Sequence, residues 1–343
     1  MFGTYRTLLA LMVVTQHLAG IHVLGAYAVF GFYVLSGYLM TFILQHNYGY
    51  SFAGVGSYAL NRFLRIYPMY WVSILCSVIL IYVLGTDYVV TYHEAMFIPR
   101  TPYECFKNIA LFFPALESPR LTPSAWALTV ELFFYGLIGL GISKNKALVV
   151  GWLALSIGYH VVANKLHWGW DNIYFSIPAA SLPFATGACI FHYKDVFLSK
   201  LPLRSVVTQN FLPIIVFALM LMNWWVGDVS GYSRSICFYL NYIFCALMIL
   251  LLCNPFALGR VPKKVDKWIG DLSFPIYVIH NQVGLVVMAI LNSMGFAYVR
   301  PDIHILILAL PVILLVAWVM VVFVERPIEQ LRATIRPKPA MTE

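Results

Sequence analysis

Two residues of the first apolar segment, Arg6 and His17, have the types and the spacing of a pair that does chemistry. They are eleven positions apart. An α-helix turning about 100° per residue completes just over three turns across that spacing, so both side chains point the same way. With a rise of ~1.5 Å per residue, His17 lies roughly 16 Å deeper than Arg6, near the middle of a hydrocarbon layer about 30 Å thick. A histidine at that depth is costly, so we expect it to have a functional role.

Two further polar residues lie inside apolar segments. Glu131 is about one third of the way in from the outer side, where an unpaired carboxylate is expensive. We expect it to be neutral or paired with a cation such as His17 or an arginine, and a purely structural ion pair is the alternative. Ser36 lies near the middle of the second segment and is followed by Gly37, which allows another helix to approach closely. A packing role explains both residues when they are taken alone.

A pair of arginines, Arg62 and Arg65, precedes the third apolar segment. Their i, i+3 spacing places both guanidiniums on one helix face, and this group matches the geometry of phosphate oxygens. Arginines at a cytoplasmic helix end are also expected as simple membrane anchors. Together with Arg6, the pair forms a candidate cradle for a polyanionic ligand whose tail extends towards His17.

The composition places this chemistry in a membrane. Hydrophobic residues make up 61% of the chain and charged residues only 10%, which lies far outside the range of soluble domains. We therefore expect one all-α, polytopic integral membrane domain over residues 1–343, without a fused soluble domain or a removable signal peptide. Ten candidate spans are long enough to cross: 4–24, 26–45, 65–86, 124–143, 146–164, 175–192, 209–227, 235–253, 272–294 and 303–323.

The distribution of positive charge predicts the orientation of these spans. An even number of spans puts both termini on one side, and if that side is the cytoplasm its segments hold sixteen of the 22 Lys and Arg residues. This bias satisfies the positive-inside rule. The formal charge of +8 is then mostly a topology signal, with room for an anionic ligand on the cytoplasmic face, and a nucleic-acid partner is not expected. The six outer cations are Arg100, Lys107, Arg120, Lys165, Arg234 and Arg300.

The long outer loop, residues 87–123, contains an amphipathic stretch at Cys105–Leu116. It is either a helix resting at the headgroups or a lid over an outward-facing site. The six cysteines lie mainly inside predicted helices without the spacing of metal ligands. We expect them to be packing residues, and we expect no metal site.

Six sequence elements in order make the chain recognisable. They are Arg6 with His17; Phe32, Tyr33, Ser36 and Gly37; Arg62 and Arg65 followed by residues 67–71; Trp126 with Glu131, leading into Phe133, Phe134 and Tyr135; residues 273–280, ending in His280; and Glu325-Arg326-Pro327. With these elements the chain resembles the membrane-bound acyltransferase-3 family, bacterial enzymes similar to those that O-acetylate O-antigen, exopolysaccharide, Nod factor and peptidoglycan. The resemblance covers nearly the whole chain.

Two departures from the family pattern concern the residues around the first elements. Members often have an Asp-Gly-Leu-Arg lead-in, whereas Arg6 here follows Gly3-Thr4-Tyr5, and the usual Gly-Val-Asp before the aromatic pair reads Ala28-Val29-Phe30. These changes bear on donor or acceptor detail more than on the reaction.

The resemblance implies a donor, an acceptor and a set of roles. The donor is acyl-CoA, most simply acetyl-CoA, with Arg6, Arg62 and Arg65 on its phosphates. His17 acts as general base on an acceptor hydroxyl or carries the acyl group as a nucleophile, and Glu131 orients the His17 ring. The residues left with a substrate-binding or structural role are Tyr33, Ser36, Trp126, Tyr135 and His280, of which His280 is most simply a packing histidine.

The same resemblance implies the setting of the reaction. The protein is expected in the bacterial inner membrane, where it acylates a hydroxyl of a cell-surface or exported glycan, or of a lipid-linked glycan, approached from the outer side. Some members carry an additional esterase-like domain for a second transfer, which here would be a separate partner chain. The oligomeric state and the acceptor stay open.

Two other function classes are compatible with the polar residues. A proton-coupled transporter or flippase for a lipid-linked saccharide would use His17 and Glu131 as a proton relay, but the paired halves of such transporters are not visible in the sequence. A non-catalytic scaffold in an export complex would leave the buried histidine unexplained.

Overall fold

The computed structural model describes residues 1–201, 205–229, 234–254, 257–258 and 261–335, and within these residues all regular structure is helical. Four of the predicted cytoplasmic cations (Arg204, Arg260, Arg336 and Lys338) and the side chain of Arg234 lie outside this description. The predicted all-α class is confirmed.

Thirteen α-helices cover the described part of the chain. They are α1 Phe2–Ala19, α2 Leu24–Ile43, α3 Phe52–Leu84, α4 Thr86–Tyr92, α5 Pro102–Ala110, α6 Ala125–Gly139, α7 Lys146–Lys165, α8 Ile177–Ser199, α9 Val206–Val229, α10 Arg234–Leu252, α11 Lys263–Ser293, α12 Ile303–Met320 and α13 Arg326–Ile335. Three π-helical turns, Leu44–Tyr48, Asp171–Phe175 and Val321–Glu325, continue or precede them.

Seven helical stretches of the described chain are long and apolar enough to cross a membrane. They are Leu24–Tyr48, Phe52–Leu84, Lys146–Lys165, Thr208–Asp228, Ser235–Leu252, Lys263–Ser293 and Ile303–Ile335. The chain is therefore a multi-pass membrane protein. Every predicted span overlaps a helix, but the count of ten and the cytoplasmic placement of the termini stay predictions.

The predicted starts of two spans are wrong. Helix α3 begins at Phe52 rather than 65, and α11 begins at Lys263 rather than 272. Hydropathy detects only the part of a helix that lies in hydrocarbon, whereas the helix itself continues wherever its backbone is capped. At α3 the cap is visible, because the Ser51 hydroxyl accepts a hydrogen bond from the Gly54 N–H at 3.1 Å.

Helices α1 and α11 run parallel and in direct contact. The Arg6 Nη2 donates to the Gly270 carbonyl at 3.4 Å. Eleven positions further along α1 and ten further along α11, His17 Nδ1 lies 2.8 Å from His280 Nε2. Both residues of the opening pair therefore face α11. The prediction that they point the same way is confirmed.

Helices α2 and α8 touch through their backbones. A Cβ placed on Gly187 of α8 would lie 2.0 Å from the Val34 carbonyl oxygen, and one on Gly37 of α2 would lie 2.2 Å from that of Phe184. No side chain fits at either position. The expected close helix approach at Gly37 is confirmed, and it sets the rotation of α2.

The amphipathic stretch of the outer loop forms α5, which starts and ends earlier than predicted. A capping box between Thr101 and Glu104 starts the helix, and Leu111 ends it in the left-handed region at φ 54°. Its exposed face carries large apolar side chains, Tyr103, Phe106 and Ile109. Such a face fits a helix at the headgroups, and α5 contributes no side chain to the cavity described next.

Candidate active site

A cavity of about 240 Å³ lies between α1, α2, α3, α6 and α11. Most of its wall is apolar. Seven of the sequence-predicted site residues line it: Arg6, Tyr33, Ser36, Arg62, Arg65, Glu131 and Tyr135. These residues come from four helices, so the structure brings together groups that lie up to 129 positions apart in the sequence.

Two of the three arginines have unused hydrogen-bonding capacity. Besides its bond to Gly270, Arg6 has a buried Nε without a hydrogen-bond partner in the described residues. The Arg62 Nη2 donates to Asn61 Oδ1 at 2.8 Å, and its Nε is likewise buried and unpartnered there. Buried donors without acceptors are unfavourable. An anionic group in the cavity would satisfy them.

The third arginine, Arg65, is already paired. It forms an ion pair with Glu325, whose side chain is only 6% exposed. Glu325 lies in the π-helical turn between α12 and α13, so this pair ties that turn to α3. Glu325 belongs to the closing Glu325-Arg326-Pro327 element, for which no role was predicted. The sequence does give one indication of this pair: the carboxylate of Glu325 lies at the end of the last apolar segment, and the cation Arg65 lies at the start of the third.

Glu131 pairs with a hydroxyl rather than with a cation. The Ser36 hydroxyl donates to Glu131 Oε1 at 2.8 Å, and the Tyr135 hydroxyl lies 3.4 Å from Ser36 Oγ. In the described part of the chain Glu131 forms no ion pair, so the structural ion pair considered above is wrong. The packing role of Gly37 turns α2 so that Ser36 faces α6.

The His17 ring belongs to a second polar group, formed with His280. His280 is fully buried, and its Nδ1 lies 2.8 Å from the Tyr277 carbonyl. Because a carbonyl only accepts, this Nδ1 carries a proton and Nε2 of the neutral ring must accept, from His17 Nδ1–H at 2.8 Å and from the Asn281 amide at 3.0 Å. This network leaves His17 Nε2 unprotonated. His280 orients that ring through these hydrogen bonds.

His17 lies at the carboxyl end of α1. It is in the last turn of a helix that ends at Ala19, because Gly20 adopts the left-handed region at φ 73°. The Gly25 N–H donates to Gln16 Oε1 at 2.7 Å, so His17 is level with the start of α2. Ser36 lies twelve residues into α2 from Leu24, or about 18 Å further along it.

The polar groups therefore form two layers. The layer near the start of α1, which the predicted orientation makes the inner layer, contains the three arginines, Ser36 and Glu131. The layer near the end of α1, called the outer layer on the same basis, contains His17 and His280. Phe32 and Tyr277 close the cavity between them, with ring centroids 6.1 Å apart. His17 is not among the described residues that line the cavity, so the cradle does not extend to it here. Glu131 bonds Ser36, and the His17 ring bonds His280 instead. The spacing along the helix predicted the distance between Arg6 and His17. It could not predict that the side chains of Phe32 and Tyr277 lie between the two layers.

Two predicted aromatic residues have different environments. Tyr33 lines the cavity and stacks on Phe184, with ring centroids 5.1 Å apart. Trp126 packs beside the cavity against Tyr174 and Phe175, at 5.4 and 4.8 Å. Trp126 is thus a packing residue of the wall. In the described part of the chain, no three His, Cys, Asp or Glu side chains are grouped as metal ligands.

Sequence analysis missed Arg300, which contacts the outer layer. Its Nε donates to the His17 carbonyl at 2.7 Å and its Nη1 to the Tyr92 carbonyl at 3.2 Å. The residue had been counted only as one of six outer cations. Its signal in the sequence is weak, because nothing local shows that the α11–α12 loop folds back onto the end of α1.

Comparisons with known proteins show the family of the chain. Residues 2–322 match the profile of a family described as "Acyltransferase domain". A protein of Bacillus subtilis (strain 168), named "Putative peptidoglycan O-acetyltransferase YrhL", is 23% identical over 347 residues, which cover 94% of this chain and 54% of that protein. The chain thus spans about half the length of this relative. No solved structure matches the chain.

Proposed function

The chain belongs to the acyltransferase family whose profile covers residues 2–322, and from this we propose that it is an O-acyltransferase. It transfers an acetyl group from acetyl-CoA to a hydroxyl of a cell-surface or exported glycan, in the bacterial inner membrane. The name of the Bacillus subtilis relative favours peptidoglycan as the glycan. The observation that carries the proposal is the inner cavity with its three arginines.

The donor occupies the inner layer in this proposal. Coenzyme A is a polyanion with a long, thin arm ending in the thioester. Its phosphates bind Arg6, Arg62 and Arg65, and the unpartnered buried Nε groups of Arg6 and Arg62 gain acceptors. The apolar cavity wall suits the arm. Ser36 and Glu131 supply the polar contacts that the amides of the arm need, so Glu131→Gln is expected to raise the KM for acetyl-CoA.

The acceptor hydroxyl meets His17 from the outer side. The unprotonated Nε2 inferred from the His280 hydrogen bonds suits a general base, and His280 holds the ring in place as the third group of such an arrangement. Because Phe32 and Tyr277 separate the layers, the thioester reaches His17 in a state in which these rings have moved apart.

The experiment compares donor binding and transfer by the purified full chain. Arg6→Ala is expected to raise the KM for acetyl-CoA about 10- to 100-fold, the usual effect of losing a charged hydrogen bond. The control Arg100→Ala, at an exposed outer residue, is expected to leave it unchanged. An unchanged KM in Arg6→Ala would remove the arginines from the donor site.

The role of His17 is tested separately. His17→Ala is expected to abolish acetyl transfer while coenzyme A still raises the Tm of the protein. Full transfer by this variant would show that another group is the base. If coenzyme A does not bind to the wild type, and saccharide addition drives proton flux without thioester cleavage, the protein is a transporter instead.

A further inference from the structure

The outer layer contains two arginines: Arg300 contacts His17, and Arg120 acts on the neighbouring His93. Arg300 is bonded to the His17 and Tyr92 carbonyls and lies over the Tyr92 ring, 4.9 Å from its centroid. His93 follows Tyr92 directly. On the other side of His93, the Arg120 N–H donates to the Ala95 carbonyl at 2.8 Å. The two arginines thus hold the backbone on both sides of His93.

This group has little negative charge to balance it. No carboxylate of the described residues forms an ion pair with Arg300 or Arg120. The electrostatic neighbours of Arg300 include the Tyr92 hydroxyl and no carboxylate, whereas Arg120 has Glu94 nearby. The carbonyl end of α1 offsets part of the charge on Arg300, by about half an elementary charge. A net positive charge remains beside the predicted base.

The hydrogen-bonding state of His93 adds a donor. Its Nδ1 accepts the Ala95 N–H at 3.2 Å, so the neutral ring carries its proton on Nε2. Burial, followed by the charges of Arg300 and Arg120, lowers the pKa of His93 to about 3, which keeps the ring neutral. His17, His93 and Arg300 are all partly exposed. A base, a neutral N–H donor and a guanidinium therefore lie together in the outer layer.

We propose that His93 and Arg300, supported by the field of Arg120, bind an anionic group of the acceptor next to the hydroxyl that His17 deprotonates. The acceptor is then a saccharide bearing a carboxylate or a phosphate, rather than a neutral one. This inference rests on the proposed acyltransferase function and narrows its substrate class. The guanidinium and the His93 N–H suit the oxygens of either anion.

A purely structural role for Arg300 predicts a different outcome. The Arg300 side chain and the Asp302 N–H bond the last carbonyls of α1, at His17 and Leu18, so Arg300 also caps that helix. Loss of a cap would lower stability and reduce transfer to all acceptors alike. Loss of an anion-binding group changes the preference among acceptors. The ratio of kcat/KM values between charged and neutral probes therefore separates the two roles.

The experiment uses three probes with the full chain and acetyl-CoA. The first is a disaccharide peptide of peptidoglycan with free carboxylates, the second is the same compound as its methyl ester, and the third is the ester joined to a polyprenyl diphosphate. We expect the wild type to prefer the first or the third over the second by about 10-fold or more. Whichever probe is preferred identifies the anion as carboxylate or phosphate.

Arg300→Gln is expected to reduce this preference to nearly 1, with an unchanged KM for acetyl-CoA. Arg300→Lys keeps the positive charge and is expected to retain most of the preference for the charged probe. Arg100→Gln, at an exposed outer arginine, is the matched control and is expected to keep the wild-type ratio. A wild type without preference for either charged probe, or an Arg300→Gln variant with the full preference, overturns the proposal.

If no probe is acetylated, the anion site is tested by binding, measured as the shift in Tm that each probe causes. The charged probe is then expected to raise the Tm of the wild type more than the ester does, and Arg300→Gln is expected to lose the difference. Equal shifts overturn the anion site. Failure of the acyltransferase function itself has a distinct result, since coenzyme A would then neither bind nor be released from acetyl-CoA.

Discussion

Replacing Gly187 by alanine tests the helix contact that positions Ser36 in the cavity. Gly187 of α8 faces the stretch of α2 from Val34 to Tyr38, which contains Ser36. The added Cβ would lie 2.0 Å from the Val34 carbonyl oxygen and 2.6 Å from the Tyr38 nitrogen, where about 3.0 Å is the practical minimum. Both obstacles are backbone atoms, which cannot rotate away. The two helices must therefore separate by about 1 Å.

A displacement of this size has two consequences. Overpacking of a tight contact costs about 1–3 kcal/mol, which lowers the Tm of a chain of this length by roughly 1–4 °C. It also disturbs the 2.8 Å hydrogen bond between Ser36 and Glu131, since α6 does not have to follow α2. A misplacement of about 1 Å reduces enzymatic rates by up to ~100-fold. We therefore expect both a lower Tm and a lower kcat/KM for acetyl-CoA.

The assay is a thermal unfolding curve in detergent together with acetyl-transfer kinetics. Gly151→Ala on α7 is the matched control, because no atom lies within 4 Å of a Cβ built there. Alanine is a better helix former by about 1 kcal/mol, so this control keeps or raises Tm. A wild-type Tm in Gly187→Ala would refute the close contact between the backbones of α2 and α8. The atoms that the added Cβ would meet belong to the backbone, so no change of side-chain rotamer could make room for it.

Two further predictions concern charge. Glu325→Gln removes the ion-pair partner of the mostly buried Arg65 and is expected to destabilise the protein by about 3–5 kcal/mol, measured as a lower Tm. The control Glu329→Gln breaks an exposed pair with Lys267 and should cost no more than about 1 kcal/mol. Equal losses of stability in the two variants would contradict the burial of the Arg65–Glu325 pair. For His93, burial and the nearby Arg300 and Arg120 lower the pKa to about 3, while the unfolded chain has a histidine pKa near ~6.5. Between these values only the unfolded chain binds the proton, so the contribution of His93 to stability is complete above pH ~6.5 and is lost as the pH falls. His93→Gln should therefore show a smaller drop in Tm from pH 7 to pH 5 than the wild type, whereas the control His167→Gln, at an exposed site, should show the drop of the wild type. The same dependence of Tm on pH in His93→Gln and in the wild type would disprove the lowered pKa of His93.

The inner layer was largely predictable from the sequence. Arg6, Arg62, Arg65, Ser36 and Glu131 are polar residues in apolar segments, and each needs a partner or a ligand because hydrocarbon supplies none. That requirement makes them gather, and the structure places all five in one cavity. The partners themselves were not predictable, since the Ser36–Glu131 contact joins residues 95 positions apart.

The outer layer was predicted less well. The spacing of Arg6 and His17 gave the correct face of α1, but the helix ends five residues before the predicted span does, at the left-handed Gly20. The hydropathy window continued past that end because the residues of the following turn are apolar as well. His17 lies in the last helical turn of α1, and its expected depth near mid-membrane stays a prediction. Arg300 contacts it from 283 positions away.

The sequence alone determined that this chain is a helical membrane protein, since its long apolar stretches can satisfy their backbone polar groups in lipid only as helices. It also determined which helix face carries each polar side chain, because the turn per residue is constant. Only the tertiary structure decided which faces meet. The division into an inner cationic cavity and an outer histidine layer depends on Phe32 and Tyr277, which come from helices far apart in the chain and are brought together by packing.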